Sequence, residues 1–300
     1  MAVTDQNQAA TSISASAHFL WQLECWGLKR IDAWGVTFIV TALALIVHHT
    51  ITFQTAILVM SITANYWLGY WLNDYFDADH DSKDKSKARQ NLFVQRPNAS
   101  KLVGIVVSSV FGFSALVFLS FGWSGLFVLG LNFLVMWAYS APPLRLKSRP
   151  GLDLLTHAIF VQTWPYIICI WLADSTWTQL DGILLGIFFL TSLNGQLNQQ
   201  IRDFEVDAQT DTNFATRVGL PRTMFILKVS ASIAVLLCLF ALRNGTIPWS
   251  FAPLGILALP KIIYQLLHRS SKSRRGLPPY WVYIVTLLAL TYTGVLLILE

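Results

Sequence analysis

The stretch "GYWLNDYFDADHD", residues 69–81, ends an apolar run and then places four aspartates between positions 74 and 81. Carboxylates this close repel one another, and charges are costly next to the apolar interior of a membrane. The stretch therefore predicts a membrane-spanning helix whose polar end holds something positively charged. The rest of the chain decides whether the apolar run is a membrane span.

The composition indicates an integral membrane protein. Hydrophobic residues make up 54% of the 300 residues and charged residues only 12%, whereas soluble domains carry about 25% charged residues. The mean hydropathy is +0.53. The three cysteines lie far apart in apolar surroundings, so they predict neither a disulfide nor a metal site.

Apolar runs long enough to cross a bilayer recur along the chain. We predict an all-α membrane protein with nine transmembrane helices in a single bundle, because the linkers between the runs are short. The runs cover about 33–52, 55–72, 102–121, 124–141, 153–172, 179–198, 223–242, 248–267 and 280–299.

The first part of the chain has a different character. Residues 1–16 are small and polar, and we predict that they are disordered. The segment 17–34 mixes aromatic residues with charges, which is typical of an amphipathic helix at the membrane interface. We take 17–300 as one domain.

The basic residues predict the orientation in the lipid bilayer. With the N-terminus in the cytoplasm, 20 of the 21 Lys and Arg fall on the cytoplasmic side, and only Arg243 does not. This distribution follows the positive-inside rule. The net charge of +5 therefore indicates topology and needs no nucleic-acid partner. In a bacterium, the protein would lie in the inner membrane with its polar loops cytoplasmic.

Two acidic clusters with helical spacing follow the second and sixth apolar runs. Their members are Asn73, Asp74, Asp77 and Asp81 in the first, and Asp203, Asp207 and Asp211 in the second. On a helix the aspartates of each cluster fall within an arc of about 60° or 80°. Hard oxygen ligands without His or Cys are typical of Mg²⁺, which often also binds phosphate oxygens. A solvated loop is the alternative, but it does not explain the spacing.

A bound diphosphate would also need cations from the protein. The loop after the fourth run offers Arg145 and Lys147, and Arg202 adjoins Asp203. Arg contacts phosphate through two N–H groups and Lys through a point charge. Positive-inside topology accounts for the same residues without a phosphate, so both interpretations remain open here.

At this point the motifs resemble those of a known family. "NDYFDADHD" (73–81) is similar to the NDxxDxxxD signature of the UbiA superfamily of intramembrane prenyltransferases. "DFEVDAQTD" (203–211) resembles its second aspartate motif, although Gly is frequent where Asp211 stands. "YSAPPLRLK" (139–147) resembles the loop after its fourth helix. The resemblance covers about residues 20–300.

The resemblance implies a fold, an activity and a set of site residues. It implies that Mg²⁺ bridges an isoprenyl diphosphate to the two aspartate motifs, and that the diphosphate leaves to give an allylic cation. A carbon of a lipophilic acceptor then captures this cation. The residues that match the family's catalytic and metal-binding motifs are Asn73, Asp74, Asp77, Asp81, Asp203, Asp207 and Asp211. Those that match its substrate-binding loop are Tyr139, Arg145 and Lys147.

Further substrate-binding candidates come from their positions on the helices. Trp67 and Tyr70 share the helix face of Asp74, where aromatic rings stabilise a cation by roughly 0.5–2 kcal/mol; interfacial aromatics are the alternative. Asn194 and Asn198, with Arg202 four residues further on, either line an acceptor pocket or bond neighbouring helices. Packing between helices explains His157 better than a role as a general base.

Three other functions fit parts of this pattern. A membrane terpene cyclase of the same family would carry the same ion-binding residues and need no external acceptor. A CDP-alcohol phosphotransferase needs an Asp-Gly motif followed by Ala-Arg, which is not found here. A transporter would place its ionisable residues near mid-membrane. We expect a prenyltransferase whose acceptor is a lycopene-like carotenoid or an aromatic quinone precursor. The sequence of residues 139–158 resembles the carotenoid-elongating branch of the family most, which favours the carotenoid.

Overall fold

The described part of the chain is a bundle of long helices. The computed structural model describes residues 31–83, 85–267 and 279–299, so the predicted disordered start and most of the predicted interfacial helix lie outside it. No strand occurs within these ranges. The long helices are α1 (Ile31–His48), α2 (Phe53–Asp81), α3 (Val103–Leu119), α4 (Gly122–Ser140), α5 (Leu152–Leu172), α6 (Gln179–Thr210), α7 (Leu220–Arg243), α8 (Ala252–Leu267) and α9 (Pro279–Leu299).

Seven of these helices are long and apolar enough to cross a membrane. They are α3 to α9, which confirms a multi-pass membrane protein by length and composition. The apolar part of α1, Trp34–His48, is shorter, and α2 has a polar C-terminal end. The count of nine spans remains a prediction.

Both helices that carry the aspartate motifs begin with a side-chain cap. Thr52 Oγ1 accepts a hydrogen bond from Thr55 N at 3.2 Å at the start of α2, and Asp181 Oδ2 accepts one from Thr178 N at 2.6 Å at the start of α6. Both helices also continue beyond the predicted spans, to Asp81 and Thr210 instead of 72 and 198. The two aspartate motifs therefore extend along helix ends, as their spacing indicated, except that Asp211 lies just past the end of α6 with an extended backbone.

Helix α5 is interrupted by a π-helical segment, Ile159–Thr163. Pro165 follows it and has no N–H for the usual helical hydrogen bond. Side chains bond carbonyl groups of this segment and its flank: the Tyr66 hydroxyl donates to the Phe160 carbonyl, and Thr163 Oγ1 donates to the Ala158 carbonyl at 3.0 Å. Such π segments are frequent at functional sites.

The packing places the polar ends of α2 and α6 at the same end of the bundle. Helix α2 packs against α1 and α3, and α6 packs against α5 and α7. Where α1 ends and α6 begins, buried Asp181 accepts a hydrogen bond from the Tyr166 hydroxyl at 2.7 Å and contacts His48 Nε2 at 2.9 Å. This cluster ties α1, α5 and α6 together at the end opposite the aspartate motifs.

Apolar side chains fill the interior and also cover the outside of the bundle. The largest core cluster contains buried residues of α1 to α6, such as Leu45, Leu58 and Ile170. Large apolar residues such as Leu116 and Leu236 are exposed, as expected for a lipid-facing surface. Helices α3 and α4 meet closely at Gly125, where a Cβ atom would lie 2.0 Å from the Phe118 carbonyl oxygen.

Candidate active site

One cavity of about 260 Å³ opens between α2, α4, α5 and α6. Both aspartate motifs line it together with the loop after α4. The predicted site residues that line it are Asn73, Asp74, Asp77, Asp81, Asp203, Asp207, Asp211, Arg145, Lys147, Tyr139 and Tyr70. The tertiary structure thus brings together residues that are more than 130 positions apart in the sequence.

Two cations hold Asp77 in the first motif. Lys147 Nζ lies 2.5 Å from one carboxylate oxygen, and Arg145 lies 3.0 Å from the other. Lys147 also donates to Asn73 Oδ1 at 2.8 Å. Only 11% of the Lys147 side chain is exposed, and this burial lowers the pKa of its ammonium group, although Asp77 opposes the shift. The loop thus brings two positive charges to the first motif.

The end of α2 is fixed by the loop that follows it. Asn91 Nδ2 donates to Asp81 Oδ2 at 2.8 Å and to the Asp74 carbonyl at 2.7 Å. Its Oδ1 accepts from the backbone N–H of Phe93 at the start of a short helix, Leu92–Gln95. Burial raises the pKa of the Asp81 carboxyl, and the Asn91 hydrogen bond opposes this shift. The last aspartate of the motif is thus held against the loop.

The same loop reaches across to the second motif. Lys87 Nζ lies 3.2 Å from Asp207 Oδ1 and 3.6 Å from Asp203 Oδ2. Burial acts to lower the pKa of Lys87, but the nearby carboxylates outweigh it and raise the pKa above its ordinary value. Asp211 accepts a hydrogen bond from Ser148 Oγ at 3.2 Å. Side chains from three loops thus converge at one end of the bundle.

A buried carboxylate that the sequence analysis missed supports the second motif. Asp153 Oδ2 accepts from Gln200 Nε2 at 2.6 Å and from Phe214 N at 2.7 Å. The next residue towards the motif, Asn213, donates from its Nδ2 to Asp207 Oδ2 at 2.9 Å. Asp153 thus connects α5 to the chain segment that holds Asp207. No motif pattern singles it out, because Gln200 and Phe214 belong to other elements.

Three predicted substrate-binding residues do not line this cavity. Trp67 stacks on Trp71, with ring centroids 6.2 Å apart. Arg202 is exposed, and its Nε donates to Asp203 Oδ1 at 3.1 Å. Asn198 lies on α6 away from the lining residues. Its neighbour Asn194 accepts a hydrogen bond from Ser230 of α7, so that amide bonds two helices together.

Other polar residues line the cavity without having been predicted. Gln196, Gln199 and Gln200 of α6 lie on the cavity wall, as do Asn65 of α2 and Asn132 of α4. Gln199 lies four residues before Asp203 on α6, and Gln196 lies three residues before Gln199. This helical spacing would have predicted both residues on the face of Asp203. His157 also lines the cavity, and its Nδ1 lies 3.1 Å from the Ser192 carbonyl oxygen.

The donor set has the chemistry that Mg²⁺ requires. Within the described ranges, no group of three or more His, Cys, Asp or Glu side chains is arranged as a metal cluster, and Lys or Arg nitrogens contact several of the carboxylates. An ionised carboxylate nevertheless offers about four lone-pair sites, so one ion pair leaves room for a metal. Carboxylate and amide oxygens without sulfur or imidazole suit Mg²⁺.

Comparison with known proteins agrees with this arrangement. The UbiA prenyltransferase family profile matches residues 34–284, which is most of the chain. The chain belongs to the UbiA prenyltransferase family. The resemblance that the motifs indicated is thereby confirmed.

Among UbiA relatives, the chain is similar to proteins named lycopene elongase/hydratase. It is 29% identical over 152 residues to one from Corynebacterium glutamicum, which covers 50% of this chain and 53% of that protein. It is 36% identical over 102 residues to one from Halobacterium salinarum, covering 33% and 35%. These matches span about half or less of the curated relatives.

Solved UbiA structures have the same fold. A UbiA homolog from Archaeoglobus fulgidus bound to GPP and Mg²⁺ superposes with a TM-score of 0.68 at 15% identity, covering 90% of this chain and 98% of that one. The same homolog bound to DMAPP and Mg²⁺ gives a TM-score of 0.68, also at 15% identity, covering 91% and 99%. The likeness confirms the UbiA fold for most of the chain.

Proposed function

We propose that the chain is a Mg²⁺-dependent prenyltransferase that moves the prenyl group of an allylic diphosphate to a lipophilic acceptor. One observation carries this proposal. The aspartate-bearing ends of α2 and α6 and the cations Arg145 and Lys147 meet at a single cavity. A site with carboxylates for a metal and cations for a phosphate fits a diphosphate.

The protein's own residues would bind and orient the diphosphate. Asp74, Asp77, Asp203 and Asp207 present carboxylate oxygens for Mg²⁺, which supplies Lewis-acid stabilisation of the leaving diphosphate when it is bound. Arg145 and Lys147 are held beside Asp77 and add hydrogen bonds to the negative charge that develops as the diphosphate leaves.

The walls below the diphosphate site would receive the prenyl group. Tyr70 and Tyr139 lie on the cavity wall next to the motifs, and aromatic faces stabilise a nearby carbocation.

Asn73, Asp81 and Asp211 complete the set of predicted Mg²⁺ ligands. We keep Trp67, Asn198 and Arg202 only as weaker substrate-binding candidates, because they do not line the cavity.

Relatives and neighbours suggest the substrates. The Archaeoglobus fulgidus homolog was solved with GPP and with DMAPP, so an isoprenyl diphosphate is the donor that we propose. The similarity to lycopene elongase/hydratases favours a carotenoid acceptor of the lycopene type over an aromatic quinone precursor.

The membrane arrangement is part of the same proposal. We infer nine membrane spans in a single domain over residues 17–300, with a cytoplasmic N-terminus. The loops that carry the aspartate motifs then face the cytoplasm, where soluble prenyl diphosphates are available. The positive-inside distribution of 20 of the 21 Lys and Arg supports this orientation.

Purified protein in nanodiscs tests the function directly. DMAPP or GPP is added with Mg²⁺ or with EDTA, and with lycopene, a phenolic acceptor or no acceptor; diphosphate release and products are measured. Mg²⁺-dependent release that requires an acceptor supports a transferase. Equal release without an acceptor, with a discrete hydrocarbon product, would instead establish a terpene cyclase. Release that EDTA does not affect would contradict the metal assignment.

A further inference from the structure

Two buried amides line the cavity far from the aspartate motifs. Asn65 lies nine residues before Asp74 on α2, which places it about 13 Å deeper along the helix. Asn132 lies seven residues before Tyr139 on α4, or about 10 Å deeper. Both residues are more than nine-tenths buried. They therefore face the inner part of the cavity and not its polar end.

Neighbouring side chains bond both amides, and the Trp164 indole fixes the orientation of Asn132. The Trp164 indole N–H donates to Asn132 Oδ1 at 2.7 Å, and Ser114 Oγ donates to Asn65 Oδ1 at 3.1 Å. An indole N–H can only donate, so the oxygen of Asn132 must face Trp164. The NH₂ group of Asn132 therefore points away from Trp164.

Neither NH₂ group has an acceptor within the part of the chain that the structure describes. Buried polar groups almost always have a hydrogen-bond partner, and no bulk water reaches them in the bilayer interior. A prenyl tail is a hydrocarbon and accepts no hydrogen bond. The partner of these two amides must therefore be an oxygen atom that the prenyl tail does not supply.

We propose that Asn65 and Asn132 form an oxygen-binding subsite at the inner end of the cavity. Two neutral N–H donors without a nearby described cation fit a neutral oxygen, such as a hydroxyl group of the lipophilic ligand. This inference rests on the proposed prenyl transfer only in its choice of ligand. It makes the two residues determinants of which acceptor or product the cavity holds.

Ligand binding tests the subsite without requiring turnover. The proposal predicts that the wild-type protein in nanodiscs binds a hydroxylated derivative of lycopene at least tenfold more tightly than lycopene. Asn132→Leu and Asn65→Leu keep the side-chain volume but remove the donors, so both should abolish this preference. Asn194→Leu is the matched control, because it removes a buried amide that bonds Ser230 outside the cavity, and it should keep the preference.

The binding ratio decides the subsite separately from the transfer reaction. Loss of the preference in Asn132→Leu and Asn65→Leu, with the preference kept in Asn194→Leu, supports the subsite. The proposal is overturned if wild type and both variants bind the two ligands with the same ratio. A wild-type protein that transfers no prenyl group would refute the proposed function, and the binding ratio would still decide the subsite.

Discussion

Replacement of Asp153 by Asn tests whether this buried carboxylate supports the second aspartate motif. Asp153 is fully buried and accepts four hydrogen bonds. Gly151 N and Leu154 N donate to Oδ1 at 2.7 and 2.8 Å, and Gln200 Nε2 and Phe214 N donate to Oδ2 at 2.6 and 2.7 Å. The variant Asp153→Asn has the same shape but turns one acceptor oxygen into a donor.

The magnitude follows from these contacts. Whichever way the Asn amide is turned, its NH₂ group faces two N–H donors, so two hydrogen bonds are lost. Gln200 cannot turn to compensate, because its Oε1 already accepts from Ala215 N at 3.0 Å. A hydrogen bond to a charged group contributes about 1.5–3 kcal/mol. We therefore expect the free energy of unfolding to fall by about 3 kcal/mol or more.

The site should weaken together with the fold. Phe214 adjoins Asn213, whose side chain donates to Asp207. Loss of that one hydrogen bond, worth about 1.4 kcal/mol, would raise the Mg²⁺ concentration for half-maximal activity about tenfold. The assay is diphosphate release against Mg²⁺ concentration at a temperature where the variant is folded.

A control variant separates this effect from loss of charge. Asp174 is exposed in the turn between α5 and α6, at the opposite end of the bundle, and adopts a left-handed backbone conformation that Asn tolerates. Asp174→Asn should therefore leave the unfolding midpoint and the Mg²⁺ dependence unchanged. The reasoning is refuted if Asp153→Asn unfolds at the wild-type midpoint and needs no more Mg²⁺ than the wild type.

Three further predictions concern the metal site, the far end of the bundle and helix packing. Asp203→Ala and Asp74→Ala should each abolish Mg²⁺-dependent diphosphate release while the helical circular dichroism remains; retained turnover in both would contradict the metal assignment. Asp181→Asn should lower the free energy of unfolding by roughly 2–4 kcal/mol, because Asp181 accepts from Tyr166 and Thr178 in a buried cluster, yet KM for the prenyl diphosphate should not change; an altered KM would show that this end communicates with the site. Gly125→Ala should lower the thermal midpoint, since overpacking costs about 1–3 kcal/mol and the new Cβ would meet the Phe118 carbonyl oxygen; an unchanged midpoint would mean that α3 and α4 move apart freely.

The helical parts of the site were predictable because they depend on local spacing. Asp74, Asp77 and Asp81 lie at intervals of three and four residues, which place side chains on one face of any helix. Arg145 and Lys147 were predicted as cations for a diphosphate and also match the family loop, and both contact Asp77 in the structure. Trp67 shows the limit of the same reasoning. It lies on the predicted face, but packing against Trp71 takes it away from the cavity wall.

By itself, the sequence determined the membrane class, the helical spacing of the aspartates and the UbiA motifs, because composition and periodicity along one helix depend on nearby residues. Only the tertiary structure decided that Lys87 bridges to Asp203 and Asp207, that Asp153 supports Asn213 and Phe214, and that Asn65 and Asn132 share one cavity. These contacts depend on how whole helices are rotated and offset against one another. That arrangement results from the packing of side chains over the entire bundle, and no short stretch of sequence encodes it.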